Sequence, residues 1–335
     1  MSKLLNCLIN KDCSRVPVWF MRQAGRYLPE FRKIRQLNQN FINLCLDSDL
    51  SSEITLQPIK RFDLDSAIIF SDILLVPYAL GQNVDFSKNK SPKLSEFEVK
   101  TFLKVTEKEF TKILNPIYRA IEITRKRLDK SKSLISFIGA PWTLLIYMFD
   151  LKKENELKFE TLEKEKTEIL HVKEKLINFL CIHIRNQINA GSDVVQIFDS
   201  WAGLLPDENF NEFCLEPNKE IVEFCKKGKI PSICFPKGIK GKYETFNKIV
   251  KSEGINIDAD VDPEWAKQKL KNVVLQGGLN PKFLLDPEEH IFKKATKYIE
   301  TFKDTPYIFN LGHGLLPQTD PDKVRKLVNF YRNFK

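Results

Sequence analysis

The chain has no CxxC pair, no hydrophobic run of membrane length and no low-complexity linker. Its seven cysteines are an odd number, none closer than six positions to another, which argues against a disulfide framework and a thiolate zinc site. The expectation is reduced thiols in a reducing compartment. The longest apolar stretches, such as Leu144 to Phe149, fall far short of the ~18 to 20 residues of a membrane span. The Leu4 to Ile9 patch meets Lys11 and Asp12 without a small-residue cleavage site, so the expected location is the cytoplasm, with no processing. There is no GxxxxGK[ST], and Pro317 stands where a dinucleotide fingerprint on Gly312-His313-Gly314 would need its third glycine. Only four histidines occur; His171 and the Cys181-Ile182-His183 run fall in expected helices without ligand partners, so no metal is expected.

What is present suits a large folded unit. The 335 residues are 42% hydrophobic, enough for a substantial core. The net charge of +9 suits a polyanionic small molecule as well as a nucleic acid. Most lysines lie in mixed-sign runs such as Asp150 to Lys175, the pattern of a solvated, protruding helix. The basic stretches lack interleaved aromatics and any recognisable nucleic-acid-binding spacing, so no nucleic-acid partner is expected.

Eight short apolar runs recur: Pro17 to Met21, Ser66 to Phe70, Leu134 to Ile138, Asp193 to Phe198, Pro231 to Phe235, Ile255 to Ala259, Val273 to Gln276 and Tyr307 to Asn310. Several are nearly continuously apolar, as in parallel strands covered on both faces. Helix-length amphipathic stretches separate them, for example Phe102 to Leu128 and Pro206 to Lys227. Eight alternations predict a single-domain (β/α)8 TIM-type barrel over 1–335, with a doubly wound open sheet as the alternative. Ser87 to Ser95 reads as an exposed loop.

Barrel enzymes place their chemistry after the strands. Arg22 and Arg26 flank Gly25 after the first run, two guanidinium forks suited to carboxylates or phosphates. Asp72 follows an apolar run, where a carboxylate is either a functional group or the cap of the next helix. Pro236-Lys237-Gly238 ends the fifth run without a distinct role, and His313 sits between two glycines after the last. Trp19, Trp142 and Trp201 near strand ends suit the core better than ligand stacking.

These blocks are similar to those of a known family. The stretch Pro17-Val18-Trp19-Phe20-Met21-Arg22-Gln23-Ala24-Gly25-Arg26-Tyr27-Leu28-Pro29-Glu30 resembles the N-terminal signature of the uroporphyrinogen decarboxylases. Gln57-Pro58-Ile59, Ile68 to Leu74, Gly139 to Thr143, Gln196 to Gly203 and Phe309 to Gly314 resemble further blocks in the same order. Asp258-Ala259 departs where the family often has Asp-Trp, which bears on packing near the sixth strand.

The resemblance implies a cofactor-independent barrel, usually a homodimer, that removes carbon dioxide from the four acetates of uroporphyrinogen III to give coproporphyrinogen III in haem biosynthesis. It implies substrate binding by Arg22, Gln23, Ala24, Gly25, Arg26, Asp72, Tyr147, Ser200 and His313, with Asp72 as the catalytic residue. Two rival readings are a corrinoid-linked methyltransferase of similar fold, which needs a zinc set of His and Cys, and a basic nucleic-acid-binding protein.

Overall fold

A computed structural model describes residues 1–86 and 92–334, so part of the expected Ser87 to Ser95 loop lies outside the described residues. Seven parallel strands make one sheet in the order β1 (Ser66–Ile68), β4 (Ser133–Gly139), β7 (Val194–Asp199), β8 (Ser232–Pro236), β9 (Gly254–Ile257), β10 (Val274–Gly277) and β11 (Tyr307–Ile308). The remaining strands form two antiparallel ribbons, β2 (Val84–Asp85) with β3 (Lys93–Leu94) and β5 (Lys152–Lys153) with β6 (Glu156–Leu157).

The eighth stave is the Pro17 to Met21 run, held by an isolated bridge and a few backbone bonds rather than a ladder. Phe309 N donates to Pro17 O at 2.9 Å on one side, and Asp65 N donates to Val18 O at 2.9 Å on the other. Asp65 also accepts from Val18 N at 2.9 Å. The ring is thereby closed, as eight alternations predicted, and the open-sheet alternative falls.

Alternation along each strand sorts the side chains. Val195 and Ile197 join the outer layer under the helices, whereas Val194 and Phe198 belong with Trp19, Met21, Ile68, Ile135, Phe137, Ile233, Phe235, Val274 and Ile308 inside the barrel. The N-terminal helix Lys3–Asn10 caps the barrel bottom with Leu4, Cys7 and Leu8. A polar layer crosses the interior above them. Trp19 Nε1 donates to Gln276 Oε1 at 3.0 Å, and Gln276 Nε2 donates to Gln196 Oε1 at 3.1 Å and to Asn256 Oδ1 at 2.9 Å. These amides are fully buried and satisfy one another, which makes an otherwise costly layer tolerable.

Three expectations need correction. Cys7 and Cys13 are paired in a disulfide rather than both reduced. The helix stops at Asn10 and Lys11 takes a left-handed conformation, which turns the chain back so that Cys13 returns to Cys7. The charged Asp150 to Lys175 run is a helix only from Phe159, because β5 and β6 come first; the helix Phe159–Asn189 then buries Ile169, Val172, Leu176 and Leu180. Finally, the expected helix Pro206 to Lys227 is interrupted by a π turn at Asn211–Leu215, with a bearing on the site.

Candidate active site

The first strand ends in a tightly braced turn. Gln23 N donates to Phe20 O at 3.0 Å, Tyr27 OH to Gln23 O at 2.8 Å, and Leu28 N to Gly25 O at 3.0 Å. Arg22 adopts φ +58°, a left-handed conformation uncommon for a side-chain-bearing residue and found often at functional turns. The amide N–H groups of Ala24, Gly25 and Arg26 have no acceptor among the described residues. With Arg22 and Arg26 on either side, this loop is a ready receptor for carboxylates. Gln23 is the member whose side chain the structure withholds. Its carboxamide is fully buried, accepting from Phe20 N at 3.0 Å and donating to Ser66 O at 3.0 Å, so it braces the turn instead of facing a ligand.

The last strand is laced to this turn. Met21 N donates to Asn310 Oδ1 at 3.1 Å, and Leu315 N to Met21 O at 2.9 Å. His313 Nδ1 accepts from Gly314 N at 2.7 Å, which leaves the ring's proton on Nε2. Burial, Lys237 and Arg22 together push His313 down to about 4, so its imidazole is neutral near pH 7.

Asp72 follows β1 across a segment pinned by Phe70 N donating to Thr55 Oγ1 at 2.8 Å. Its Oδ1 accepts from Leu74 N at 2.9 Å, so the expected capping role is partly real: Asp72 starts the turn before the helix Leu75–Ala79. Oδ2 has no partner among the described residues. Desolvation pushes the carboxyl up to about 6, opposed by the Leu74 N–H and the charge of Arg22. Arg22 responds to the same surroundings. It keeps accessible surface, yet protein walls it on most sides, and desolvation pulls its guanidinium below the usual range against the pull of Asp72. Tyr147, also within the field of Asp72 and Arg22, is pushed up by burial.

Tyr147 rides on the helix Pro141–Met148, whose Pro begins the first turn directly after β4. Its ring meets Trp201 edge-on at 6.3 Å. Ser200, half-buried, lies in the turn between β7 and Trp201. That turn is set by Asp199, which accepts from Thr143 Oγ1 at 2.8 Å and Asn218 Nδ2 at 3.0 Å. Thr143 Oγ1 in turn accepts from Trp201 N at 3.2 Å. The π turn explains the meeting: it places Cys214 and Asn218 together on Asp199, a common use of π geometry near functional sites. Burial pushes Asp199 up to about 6 despite these bonds. Phe137 and Phe198, in edge contact at 5.7 Å, give the mouth an apolar floor.

Arg22, Arg26, Asp72, Tyr147, Ser200 and His313 therefore all belong to one rim, as the barrel reading expected. The role of Asp199 was not foreseen, because it depends on packing between distant segments. The other histidine-bearing stretch is structural: His183 is buried with Nδ1 3.0 Å from Tyr118 OH, and burial pushes it down to about 3. Near the sixth strand Ala259 lies so close to Gly312 that a Cβ there would come 2.6 Å from Ala259 Cα.

Among the described residues no group of three or more His, Cys, Asp or Glu could hold a metal ion, so the zinc set of a corrinoid methyltransferase is not formed. A methyltransferase from Methanosarcina mazei shares the fold, with TM-score 0.82 over 99% of this chain and 98% of that one. At 16% identity that likeness speaks for the barrel alone. The sequence comparisons are more specific. Uroporphyrinogen decarboxylases from Rickettsia felis and Rickettsia canadensis are 41% and 40% identical over 341 residues, covering 100% of this chain and 98% and 100% of their own lengths. The family model described as uroporphyrinogen decarboxylase (URO-D) matches residues 1–334, and the chain belongs to that family.

Proposed function

We propose that the chain acts as one decarboxylase domain that converts uroporphyrinogen III to coproporphyrinogen III, with Asp72 as the catalytic carboxylate and no cofactor. Family membership supports the reaction; the observation that carries the site is Asp72 itself, a desolvated carboxylate with one uncommitted oxygen beside Arg22.

Losing carbon dioxide leaves an electron pair that needs a sink, which many decarboxylases take from a cofactor. A pyrrole can be its own sink. Protonation at the pyrrole α-carbon next to the ring carbon bearing the acetate gives a cation with positive charge on that acetate-bearing carbon. The bond from the acetate CH2 to its carboxylate then breaks, its electrons form an exocyclic C=CH2 and neutralise the ring, and carbon dioxide leaves. A second proton turns that methylene into the product methyl group, and loss of the first proton from the ring α-carbon restores the aromatic pyrrole, so that one proton is consumed for each carbon dioxide released. Ionised Asp72 stabilises the cationic stage by facing the pyrrole N–H groups in a dry mouth, where charge acts more strongly than in water.

Arg22, Arg26 and the amides of Ala24 and Gly25 hold carboxylates, while Tyr147, Ser200 and neutral His313 donate hydrogen bonds that fix the ring. His313 pushed down to about 4 has no imidazolium proton to give near pH 7. Desolvation lowers Arg22 while the neighbouring Asp72 opposes that shift, so Arg22 acts as a charged guanidinium that holds a carboxylate. We also propose a cytoplasmic homodimer without nucleic-acid partners; no helix among the described residues is long and apolar enough to cross a membrane. The test is anaerobic incubation with reduced uroporphyrinogen III and separation of products by carboxyl number. Absence of species with seven to four carboxylates overturns the proposal.

A further inference from the structure

Lys237 stands at the same mouth and has no part in the assignment above. It follows β8 directly, past the inward-facing Ile233 and Phe235, which puts its backbone at the C-terminal end of the barrel. Its backbone is fixed on both sides: Lys237 N donates to Asp199 O at 3.0 Å, and Gly203 N donates to Lys237 O at 2.9 Å. The next residue, Gly238 at φ +81°, donates from N to Asp258 Oδ2 at 2.7 Å, and Tyr243 OH donates to the same oxygen at 2.7 Å. Gly203 lies against the Gly238 backbone so closely that a Cβ would come 2.7 Å from its carbonyl carbon. The lysine therefore rises from a rigid rim.

Half-buried, Lys237 makes no ion pair and no side-chain hydrogen bond among the described residues. Its charge nonetheless reaches the mouth, since it helps lower His313. It also favours the ionised form of Asp258, whose Oδ2 is already occupied by Gly238 and Tyr243. The ring order places it further still: from the Pro17 to Met21 stave through β1, β4 and β7, β8 is the fourth step of eight. The stave that carries Lys237 is thus opposite the one that carries the Arg22 to Arg26 turn.

We propose that Lys237 binds a carboxylate of the substrate on the side of the macrocycle opposite the arginines. The proposal rests on the mouth being the substrate site. A porphyrinogen carries acidic arms on all four sides, and cations on one edge alone leave the far edge free to tilt. A cation across the ring clamps the plane over Asp72. Four successive decarboxylations also bring different arms to that rim, and a flexible ammonium tolerates such changes better than a fixed guanidinium fork.

Steady-state kinetics of Lys237→Gln and Lys237→Arg test this, with melting temperature measured beside them. The expected result for Lys237→Gln is a KM raised roughly 10- to 100-fold with kcat changed less than about threefold, the loss of one charged hydrogen bond. Salt should weaken substrate binding less in the variant than in the parent, and Lys237→Arg should recover most of the affinity. Unchanged KM in Lys237→Gln, or a rise that tracks lost thermal stability and is not rescued by Arg, overturns the proposal. If Asp72→Asn and Arg26→Ala also leave kinetics unchanged, the reading of the mouth fails and takes the role of Lys237 with it.

Discussion

Gly314 lies under the side chain of Arg22: a Cβ built at 314 would come 2.6 Å from Arg22 Cγ and 3.0 Å from Arg22 Nε. The obstacle is a flexible side chain and not backbone, so added bulk displaces the arginine before it disturbs the fold. Gly314→Ala should therefore raise KM or lower turnover at least tenfold while the melting temperature moves by no more than about 2 °C. Parent-like kinetics in a folded variant would show that the position of Arg22 is immaterial.

Arg26→Ala probes the other fork. Arg26 is exposed and makes no ion pair among the described residues, so its removal should leave stability nearly unchanged. Loss of one charged hydrogen bond to a substrate carboxylate costs ~1.5 to 3 kcal/mol, expected mainly in KM. An unaltered KM assigns Arg26 to the free surface.

The contrast between Arg22 and Asp199 explains how much of this protein its sequence discloses. The eight apolar runs correspond to the eight staves because burial on both faces leaves a local trace. The rim residues could be found for the same reason, since whatever follows such a run lies at the mouth. The interior amide layer left no comparable trace: Gln196, Asn256 and Gln276 become a satisfied set only when three strands meet. The π turn that delivers Asn218 to Asp199, and the use of Gln23 as a brace, likewise depend on contacts between segments far apart in the chain.

Asp199→Asn tests that support network. Asparagine replaces one acceptor oxygen with an N–H2 group facing either Thr143 or Asn218, each of which now donates to the carboxylate. A buried mismatch of this kind costs ~1 to 3 kcal/mol, so the melting temperature should fall by several degrees. The fall of kcat/KM on the acid side should persist, because the Asp199 carboxylate is committed to Thr143, Asn218 and Cys214. Disappearance of that fall would make Asp199 part of the chemistry.

Prolonged dialysis against a chelator should leave turnover within about twofold of the untreated enzyme, since among the described residues no three His, Cys, Asp or Glu come together as a stable metal site requires. Loss of activity that zinc or another metal restores would overturn the cofactor-free reading.

Asp72→Asn separates charge from shape. Asn can still accept from Leu74 N, now made at 2.9 Å, so the turn survives while the charge is removed. Turnover should fall ~10² to 10³-fold, the scale of a single electrostatic stabiliser. The pH dependence fixes the sign independently. Burial raises Asp72 from 3.8 to about 6, so the folded protein holds this proton more tightly than the unfolded chain does. The resulting stabilisation is complete below about pH 4 and is lost as pH rises through about 6, whereas activity needs the ionised form and should rise through the same interval. Thus kcat/KM of the parent should decline below about pH 6, with no such limb in Asp72→Asn. At about pH 8 the Asn variant should melt at or above the parent temperature, because it lacks the ionised carboxylate that the dry mouth disfavours. A variant that stays folded with near-parental turnover and an unchanged acid limb removes Asp72 from the mechanism.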